Sequence, residues 1–220
     1  MNDTLYVFDL DETLINGDCA MIWNQFLVKK GVITDSNFLV EDRRLMDLYA
    51  QGQLNMEQYL EFTMAPLLDI AESKIEQLIA ECVESDILPK LFPQAKTLIE
   101  QLQQQKADTL IISASISFIV EKVAQRLGID HALGIDLQCK HGNYTQYISG
   151  IATYREGKVK RLQQWLCQQR RKDTKIVFYT DSINDLPMCL HADDVVLINP
   201  CPQLRSEANS HPLWSILTWG

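Results

Sequence analysis

The sequence predicts an α/β protein: a parallel sheet with helices on both faces and one helical insertion. From residue 88 onward, short apolar strands alternate with helical segments, and such alternation implies right-handed crossovers between parallel strands. Before that point, residues 16–85 show helical periodicity and no convincing strand. We therefore expect a Rossmann-like catalytic core formed by residues 1–15 and 86–220, and a helical cap domain formed by residues 16–85.

The individual elements follow from local patterns. The first strand is expected at residues 5–8, an apolar run that includes β-branched and aromatic types. Apolar periodicity predicts helices in the insertion at residues 18–30, 36–50, 56–64 and 71–84, punctuated by Gly31, Gly52 and Pro66. In the core we expect helices at 93–106, 116–127 and 157–170, strands at 109–112, 175–179 and 194–198, and a hairpin over 133–149.

Composition excludes several classes of function. The chain has 220 residues, enough for a sizeable core without disulfide or metal support. Its net charge is −9, and its one basic run, residues 170–172, is typical of a solvated helix end rather than a nucleic-acid interface. No secretory signal and no apolar stretch long enough for a membrane span is evident. The six scattered cysteines lack a C-x-x-C pair, so we expect a reducing, cytoplasmic location.

Two pairs of carboxylates follow two apolar strands. Asp9 and Asp11 come directly after the first strand, and Asp181 and Asp185 follow the strand at 175–179. Each pair alone also suits a simple turn or helix cap. If the strands are neighbours, the charges converge, and two carboxylates ~4 Å apart repel by ~4 kcal/mol at an effective dielectric near 20. They would then protonate or share a cation, and oxygen ligands suit Mg²⁺.

Two further side chains suit a phosphate group. Ser113 follows a strand and opens a helix, where its hydroxyl and the helix amides suit a phosphate oxygen, although such a serine is commonly only an N-cap. Lys158 stands at a predicted helix start, where a cation is disfavoured, so it indicates an anionic partner or else a surface lysine. With the four carboxylates, these residues indicate phosphoryl transfer.

The motifs resemble those of the haloacid dehalogenase-like hydrolases, and within them the branch that contains phosphoserine phosphatase. Residues 9–14 (DLDETL) match the D-x-D-x-T-[LV] signature, and residues 179–187 (YTDSINDLP) match the D-x-x-x-D motif. Residues 111–113 (IIS) and 155–158 (REGK) resemble the second and third motifs, so the resemblance covers nearly the whole chain. Thr180 departs from the glycine of many relatives, a change that should leave the carboxylate chemistry intact.

The resemblance implies a role for each carboxylate. Asp9 would attack phosphorus and form an aspartyl phosphate, and Asp11 would protonate the leaving oxygen and then activate water. The side chains of Asp9 and Asp181 and the backbone carbonyl of Asp11 would hold Mg²⁺. Asp185 would support the metal waters or orient a lysine.

The resemblance also implies how the substrate is held. Ser113 and Lys158 would neutralise the transferred phosphoryl group, and the cap would close over the site. In phosphoserine phosphatases an acidic residue after the first motif binds the substrate amine, and Asp18 stands at that position. Thr63 stands where those enzymes carry a cap arginine for the substrate carboxylate. A missing charged hydrogen bond costs ~1.5–3 kcal/mol, so phosphoserine should be a poor substrate.

The chain is also similar to the histidinol-phosphate phosphatases of this branch, most clearly at Asp18 and in residues 154–159 and 179–182. Histidinol phosphate carries an amine and an imidazole but no carboxylate, in agreement with the Asp18 and Thr63 pairing. The expected partner is therefore a small phosphorylated metabolite, with no nucleic acid and no membrane. Four aromatic residues would either stack on the imidazole or form the cap core: Trp23, Tyr49, Tyr59 and Phe62.

Alternatives stay open at this point. Phosphoserine becomes the substrate if Arg43 or Arg44 supplies a carboxylate anchor, although an exposed helix face also explains that pair. Another small phosphomonoester, transfer of the phosphoryl group to an alcohol, and a non-catalytic phospholigand-binding role are further candidates. The oligomeric state is open as well, since Trp214, Leu217 and Trp219 suit a last strand, a core plug or an interface.

Overall fold

A computed structural model describes residues 4–171 and 173–220, so Lys172, the end of the basic run, lies outside the described residues. The strands are β1 (Thr4–Phe8), β2 (Asp108–Ile116), β3 (His131–Ile135), β4 (Leu137–Lys140), β5 (Asn143–Ile148), β6 (Lys175–Thr180), β7 (Asp194–Ile198) and β8 (Ser215–Leu217). The α-helices are α1 (Cys19–Lys29), α2 (Phe38–Ala50), α3 (Met56–Met64), α4 (Glu72–Cys82), α5 (Pro93–Gln104), α6 (Ser117–Leu127), α7 (Glu156–Gln168), α8 (Leu186–His191) and α9 (Pro202–Ala208).

The main sheet has six parallel strands in the order β3-β2-β1-β6-β7-β8. Counted along the chain within this sheet, the order is 3-2-1-4-5-6, the Rossmann arrangement that was expected. β2 and β6 are almost continuously buried, as strands covered by helices on both faces must be. The order reverses between β1 and β6, and ligands bind in such folds outside the carboxyl ends of the strands at this point.

Each face of the sheet has its own hydrophobic core. Leu5 and Val7 of β1 point to one face, where they pack with residues of α7, α8 and α9. Phe8 points to the opposite face, into a larger cluster that includes residues of α5 and α6. This alternation is the period of two expected for a strand.

The segment between β1 and β2 is helical, as its periodicity predicts. Asp18 begins α1 as its N-cap, accepting a hydrogen bond from the Met21 amide at 2.8 Å, and Asn55 caps α3 in the same way. The larger core cluster continues from the sheet into α1, α3 and α4 without interruption. A separate small cluster, formed by Leu45, Leu54 and Tyr59, joins the end of α2 to the start of α3. The boundaries of a cap at residues 16 and 85 stay a prediction.

The structure differs from the expected hairpin over residues 133–149. The first part of that range lies in β3, an edge strand of the main sheet, because Leu110, Ile111 and Ile112 of the long strand β2 pair with it in parallel. The hairpin is the shorter pair β4 and β5, which turns at His141 and Gly142. At the other edge, β8 contains Leu217, and the buried Trp219 packs against Phe92. None of the helices described here is both long and apolar enough to cross a membrane.

Candidate active site

The carboxylates predicted from the two strand ends meet at the point where the strand order reverses. β1 and β6 are paired from Thr4 to Phe8, and the Asp9 amide donates a hydrogen bond to the carbonyl oxygen of Tyr179 at 2.9 Å. Asp9 therefore leaves β1 beside the last residues of β6, next to Asp181 and Asp185. The sequence alone could not tell whether the two strands are neighbours, and the structure shows that β1 and β6 are paired.

Lys158 joins two of these carboxylates. Its Nζ lies 2.8 Å from Asp9 Oδ1 and 2.7 and 2.8 Å from the two carboxylate oxygens of Asp185, and the side chain is buried. The hydroxyl of Thr180 donates to Asp185 at 2.7 Å, so the residue that departs from the family pattern helps to hold this carboxylate. Burial alone would lower the pKa of Lys158, but Asp185 and Asp9 outweigh it, and the pKa is raised. Lys158 is therefore a fixed positive charge.

Asp11 is held by donors from two directions. The Cys19 amide donates to its Oδ1 at 2.7 Å, and the hydroxyls of Ser113 and Ser115 donate to its Oδ2 at 3.0 and 2.9 Å. Ser113 Oγ also accepts a hydrogen bond from the Ser115 amide. These contacts hold the Asp11 carboxylate between the start of α1 and the end of β2, and they bring Ser113 into the site.

The site contains more carboxylates than positively charged side chains. Burial raises the pKa of Asp9 to about 7, against the lowering effect of Lys158, and Asp185 and Asp11 raise it further. Burial also raises the pKa of Asp181 well above its usual value, and Asp9 adds to this effect. Thr13 donates to Asp181 Oδ1 at 3.1 Å. Among the described residues, Lys158 is the one cation that forms an ion pair with these four carboxylates, and it pairs with Asp9 and Asp185.

This donor set fits the Mg²⁺ site that was predicted. Among residues 4–171 and 173–220, no three carboxylate, imidazole or thiolate side chains are grouped closely enough to hold a metal by themselves. The predicted set needs only two, those of Asp9 and Asp181, with the carbonyl of Asp11. Mg²⁺ suits such a set, because it usually keeps several waters and binds through one or two carboxylates and the substrate phosphate.

A cleft and a smaller cavity adjoin these residues. Asp9, Asp11 and Asp181 line the open cleft, and Asp11 and Asp18 line both spaces. The cavity lies against residues of α2 and α3. Its lining consists of Asp11, Asp18, Ala20, Met46, Tyr49, Leu54, Met56, Tyr59, Ala114 and Ser115. No Lys, Arg or His is among these residues, so the described wall is acidic, aromatic and apolar apart from the hydroxyl of Ser115.

Of the two aspartates that line the cavity, Asp11 belongs to the predicted Mg²⁺ site and Asp18 does not. Burial raises its pKa to about 8, Asp11 raises it further, and the hydrogen bond from the Met21 amide opposes the change. A carboxylate held in this way gains most from a ligand that brings a positive charge.

The candidate carboxylate anchors lie elsewhere. Thr63 is buried in the helical segment, where its hydroxyl donates to Asn24 Oδ1 at 3.0 Å. Arg44 is exposed and pairs with Glu41 on the surface of α2, and Arg43 is exposed too. None of these residues lines the cavity.

The four aromatic candidates separate into two groups. Trp23 is buried against Phe26, and Phe62 stacks on Phe38, so both belong to the packing of the helices. Tyr49 and Tyr59 line the cavity.

Several site residues were not expected from the sequence. Ser115 is one of them, although its position two residues after Ser113 in an extended segment was a usable signal. Arg155 and Asn184 are others: their side chains donate to the carbonyls of Gly52 and Tyr49 in the helical segment. No local pattern announces these contacts, because they join residues more than one hundred positions apart.

Comparison with known proteins identifies relatives of this arrangement. The family model for haloacid dehalogenase-like hydrolases matches residues 6–189. A histidinol-phosphatase of Neisseria meningitidis serogroup C (strain 8013) is 33% identical over 221 residues, covering 98% of each chain. The crystal structure of a protein of unknown function from Bordetella pertussis Tohama I has a TM-score of 0.88 at 30% identity, covering 99% of each chain. A substrate-bound phosphoserine phosphatase shares the fold, with a TM-score of 0.69 at 22% identity over 98% of this chain and 93% of that one.

Proposed function

Because the chain belongs to the haloacid dehalogenase-like hydrolase family and is a phosphoric monoester hydrolase of that type, we propose that it is a Mg²⁺-dependent phosphatase acting through an aspartyl phosphate. We further propose that its substrate is a small amine-bearing phosphate ester, with histidinol phosphate as the best candidate. The observation that carries this choice is the position of Asp18 in a cavity that adjoins Asp11 and lacks a described cationic wall residue. The relative named a histidinol-phosphatase adds support.

The first half of the reaction uses Asp9 and Asp11. A carboxylate oxygen of Asp9 attacks phosphorus, the bond between phosphorus and the ester oxygen breaks, and Asp11 gives its proton to the leaving alcohol. Lys158 holds Asp9 in position and offers its positive charge to the phosphoryl oxygens. The hydroxyl of Ser113 is within reach of the same site through its contact with Asp11.

The second half hydrolyses the intermediate. Asp11 takes a proton from water, the water oxygen bonds to phosphorus, and the bond between phosphorus and Asp9 breaks to release inorganic phosphate. Mg²⁺, held by Asp9, Asp181 and the Asp11 carbonyl, would supply positive charge that lowers the repulsion between the phosphate and the carboxylates. Asp185 acts through Lys158, which it keeps charged and in place.

The helical segment 16–85 serves as the cap in this proposal. It brings Asp18, Tyr49 and Tyr59 to the substrate and limits the access of water. We also propose that the enzyme works in the cytoplasm, which the scattered cysteines support.

The test is a comparison of initial rates of phosphate release with Mg²⁺ for histidinol phosphate, phosphoserine, phosphoethanolamine and an aryl phosphate. We expect histidinol phosphate to exceed phosphoserine by about a hundredfold in kcat/KM, which equals ~2.7 kcal/mol of transition-state discrimination. A chelator should abolish all four rates, and added Mg²⁺ should restore them. A preference for phosphoserine would refute the choice of substrate. Formation of a new phosphate ester from added alcohol, in place of inorganic phosphate, would indicate a phosphotransferase.

A further inference from the structure

Asp18 is not the only polar residue that lines its cavity, because a tyrosine hydroxyl without a hydrogen-bond partner belongs to a second lining residue. Tyr59 lines the cavity, its side chain is buried at 5% exposure, and its hydroxyl has no hydrogen-bond partner among the described residues. Leaving a buried hydroxyl unpaired costs roughly 1–3 kcal/mol, so such a group is usually present for a reason.

The surroundings of Tyr59 identify the kind of partner that is missing. Asn24 lies near the hydroxyl and lowers the pKa of Tyr59 as a hydrogen-bond donor does, while its amide also donates to Asp42 at 2.8 Å and accepts from Thr63. No described residue accepts a hydrogen bond from the Tyr59 hydroxyl. Burial raises the pKa of Tyr59 well above its usual value, and the charges of Asp18 and Asp42 add to this, so the hydroxyl keeps its proton. It is therefore available as a hydrogen-bond donor at working pH.

The position of the Tyr59 ring is well determined by packing. The ring belongs to the small cluster with Leu45 and Leu54, which joins α2 to α3. Asp18 lines the same cavity from the start of α1. One wall thus carries a carboxyl group that a cationic ligand would hold ionised, and another carries a neutral donor. This combination suits a ligand with both a cationic group and an uncharged acceptor.

We propose that Tyr59 is a specificity residue, whose hydroxyl donates a hydrogen bond to a neutral nitrogen at the end of the substrate remote from phosphorus. This rests on the proposed function, in which Asp18 binds the substrate amine. The substrate class is a phosphate ester that carries an ammonium group and an uncharged ring nitrogen, as an imidazole does. A site built to pair a polar group discriminates strongly against analogues that lack it.

The test is Tyr59→Phe, which removes the hydroxyl and keeps the ring. We expect kcat/KM for histidinol phosphate to fall by about 10- to 100-fold, from the range for a buried hydrogen bond. Phosphoethanolamine has the amine but no second acceptor, and its kcat/KM should change by less than about threefold on the same reasoning. An equal loss on both substrates, or no loss on either, overturns the proposal.

The chain offers a matched control. Tyr154 also has a buried hydroxyl without a partner among the described residues, but it does not line the cavity. Tyr154→Phe should leave the ratio of the two kcat/KM values unchanged. If it lowers the ratio as Tyr59→Phe does, loss of a buried hydroxyl is enough to explain the effect, and the proposal fails.

A second readout separates binding from catalysis. Without ligand, Tyr59→Phe should unfold at the same temperature as wild type or higher, because it removes an unpaired polar group. Histidinol, the dephosphorylated product, should raise the midpoint of wild type more than that of the variant. An equal shift overturns the proposal.

The outcomes also distinguish this proposal from the proposed function. If wild type prefers another amine-bearing ester with an uncharged acceptor, histidinol phosphate is refuted as the substrate. The effect of Tyr59→Phe on kcat/KM is then compared between that ester and phosphoethanolamine. If phosphoethanolamine is itself the preferred substrate, Tyr59 has no group to bind and the proposal is overturned.

Discussion

Replacing Asp18 by Asn tests the substrate choice with little disturbance of the fold. Asp18 is the N-cap of α1, and its Oδ1 accepts a hydrogen bond from the Met21 amide. Asn and Asp are about equally good N-caps, so Asp18→Asn should keep the helix start and remove only the negative charge. The unfolding midpoint should therefore equal or exceed that of wild type, because the raised pKa of Asp18 means that its negative charge is unfavourable in the folded protein.

The expected loss of activity follows from the loss of one charged contact. A hydrogen bond between charged groups contributes ~1.5–3 kcal/mol, which corresponds to a fall of roughly 10- to 150-fold in kcat/KM. The loss should appear for histidinol phosphate and phosphoethanolamine, since both carry an amine. An aryl phosphate, which has no amine, should react about as fast as with wild type.

The assay is phosphate release under kcat/KM conditions for these three substrates, with Asp69→Asn as the control. Asp69 is an exposed carboxylate of the same helical segment and does not line the cavity. If Asp18→Asn slows the aryl phosphate as much as the amines, Asp18 acts on the catalytic groups and not on the substrate amine. If it slows none of them, the cavity beside Asp18 is not the substrate site.

Three further predictions follow from single contacts. Asp9→Asn should reduce kcat at least about a thousandfold while retaining the folded spectrum, since an amide is a poor nucleophile; retained turnover would refute covalent catalysis. Burial raises the pKa of Asp42 to about 6, which means that the protonated form of Asp42 stabilises the fold. This stabilisation is complete below pH ~4 and is lost as pH rises through 6. Asp42→Asn should therefore raise the free energy of urea unfolding by on the order of 1–3 kcal/mol at pH 8 and by little at pH 4; equal effects at both would contradict this. Gly52→Ala should destabilise by more than Gly31→Ala in thermal unfolding, because both have positive φ but only at Gly52 would a Cβ meet Arg155; equal losses would dismiss that contact.

The helical segment and the core are joined by few polar contacts near the site. Arg155 donates to the carbonyl of Gly52, Asn184 donates to that of Tyr49, and the Tyr49 and Tyr154 rings lie 5.5 Å apart. Farther away, the shared hydrophobic cluster binds the same segment to the sheet. The helical segment is therefore attached to the core both beside the site and through the shared hydrophobic cluster.

Local patterns in the sequence were enough to predict helices α1 to α7, most of the strands and the parallel α/β fold, but not the short helices α8 and α9. Periodicity and runs of apolar residues are properties of neighbouring residues, and they report directly on burial. The motif residues Asp9, Asp11, Ser113, Lys158, Asp181 and Asp185 could be proposed as a set for the same reason, since each stands after a predicted strand or at a predicted helix start. Their assigned roles stay predictions. The expectation that Ser113 opens a helix was wrong, because β2 continues through it to Ile116 and α6 begins at Ser117.

Only the tertiary structure decided which distant residues meet. It placed β3 in the main sheet instead of the hairpin, because pairing depends on the register of β2 and not on the local pattern. It divided the aromatic candidates, sending Trp23 and Phe62 into the packed helices while Tyr49 and Tyr59 line the cavity. A side chain's environment depends on which helices pack together, and that is a property of the whole fold.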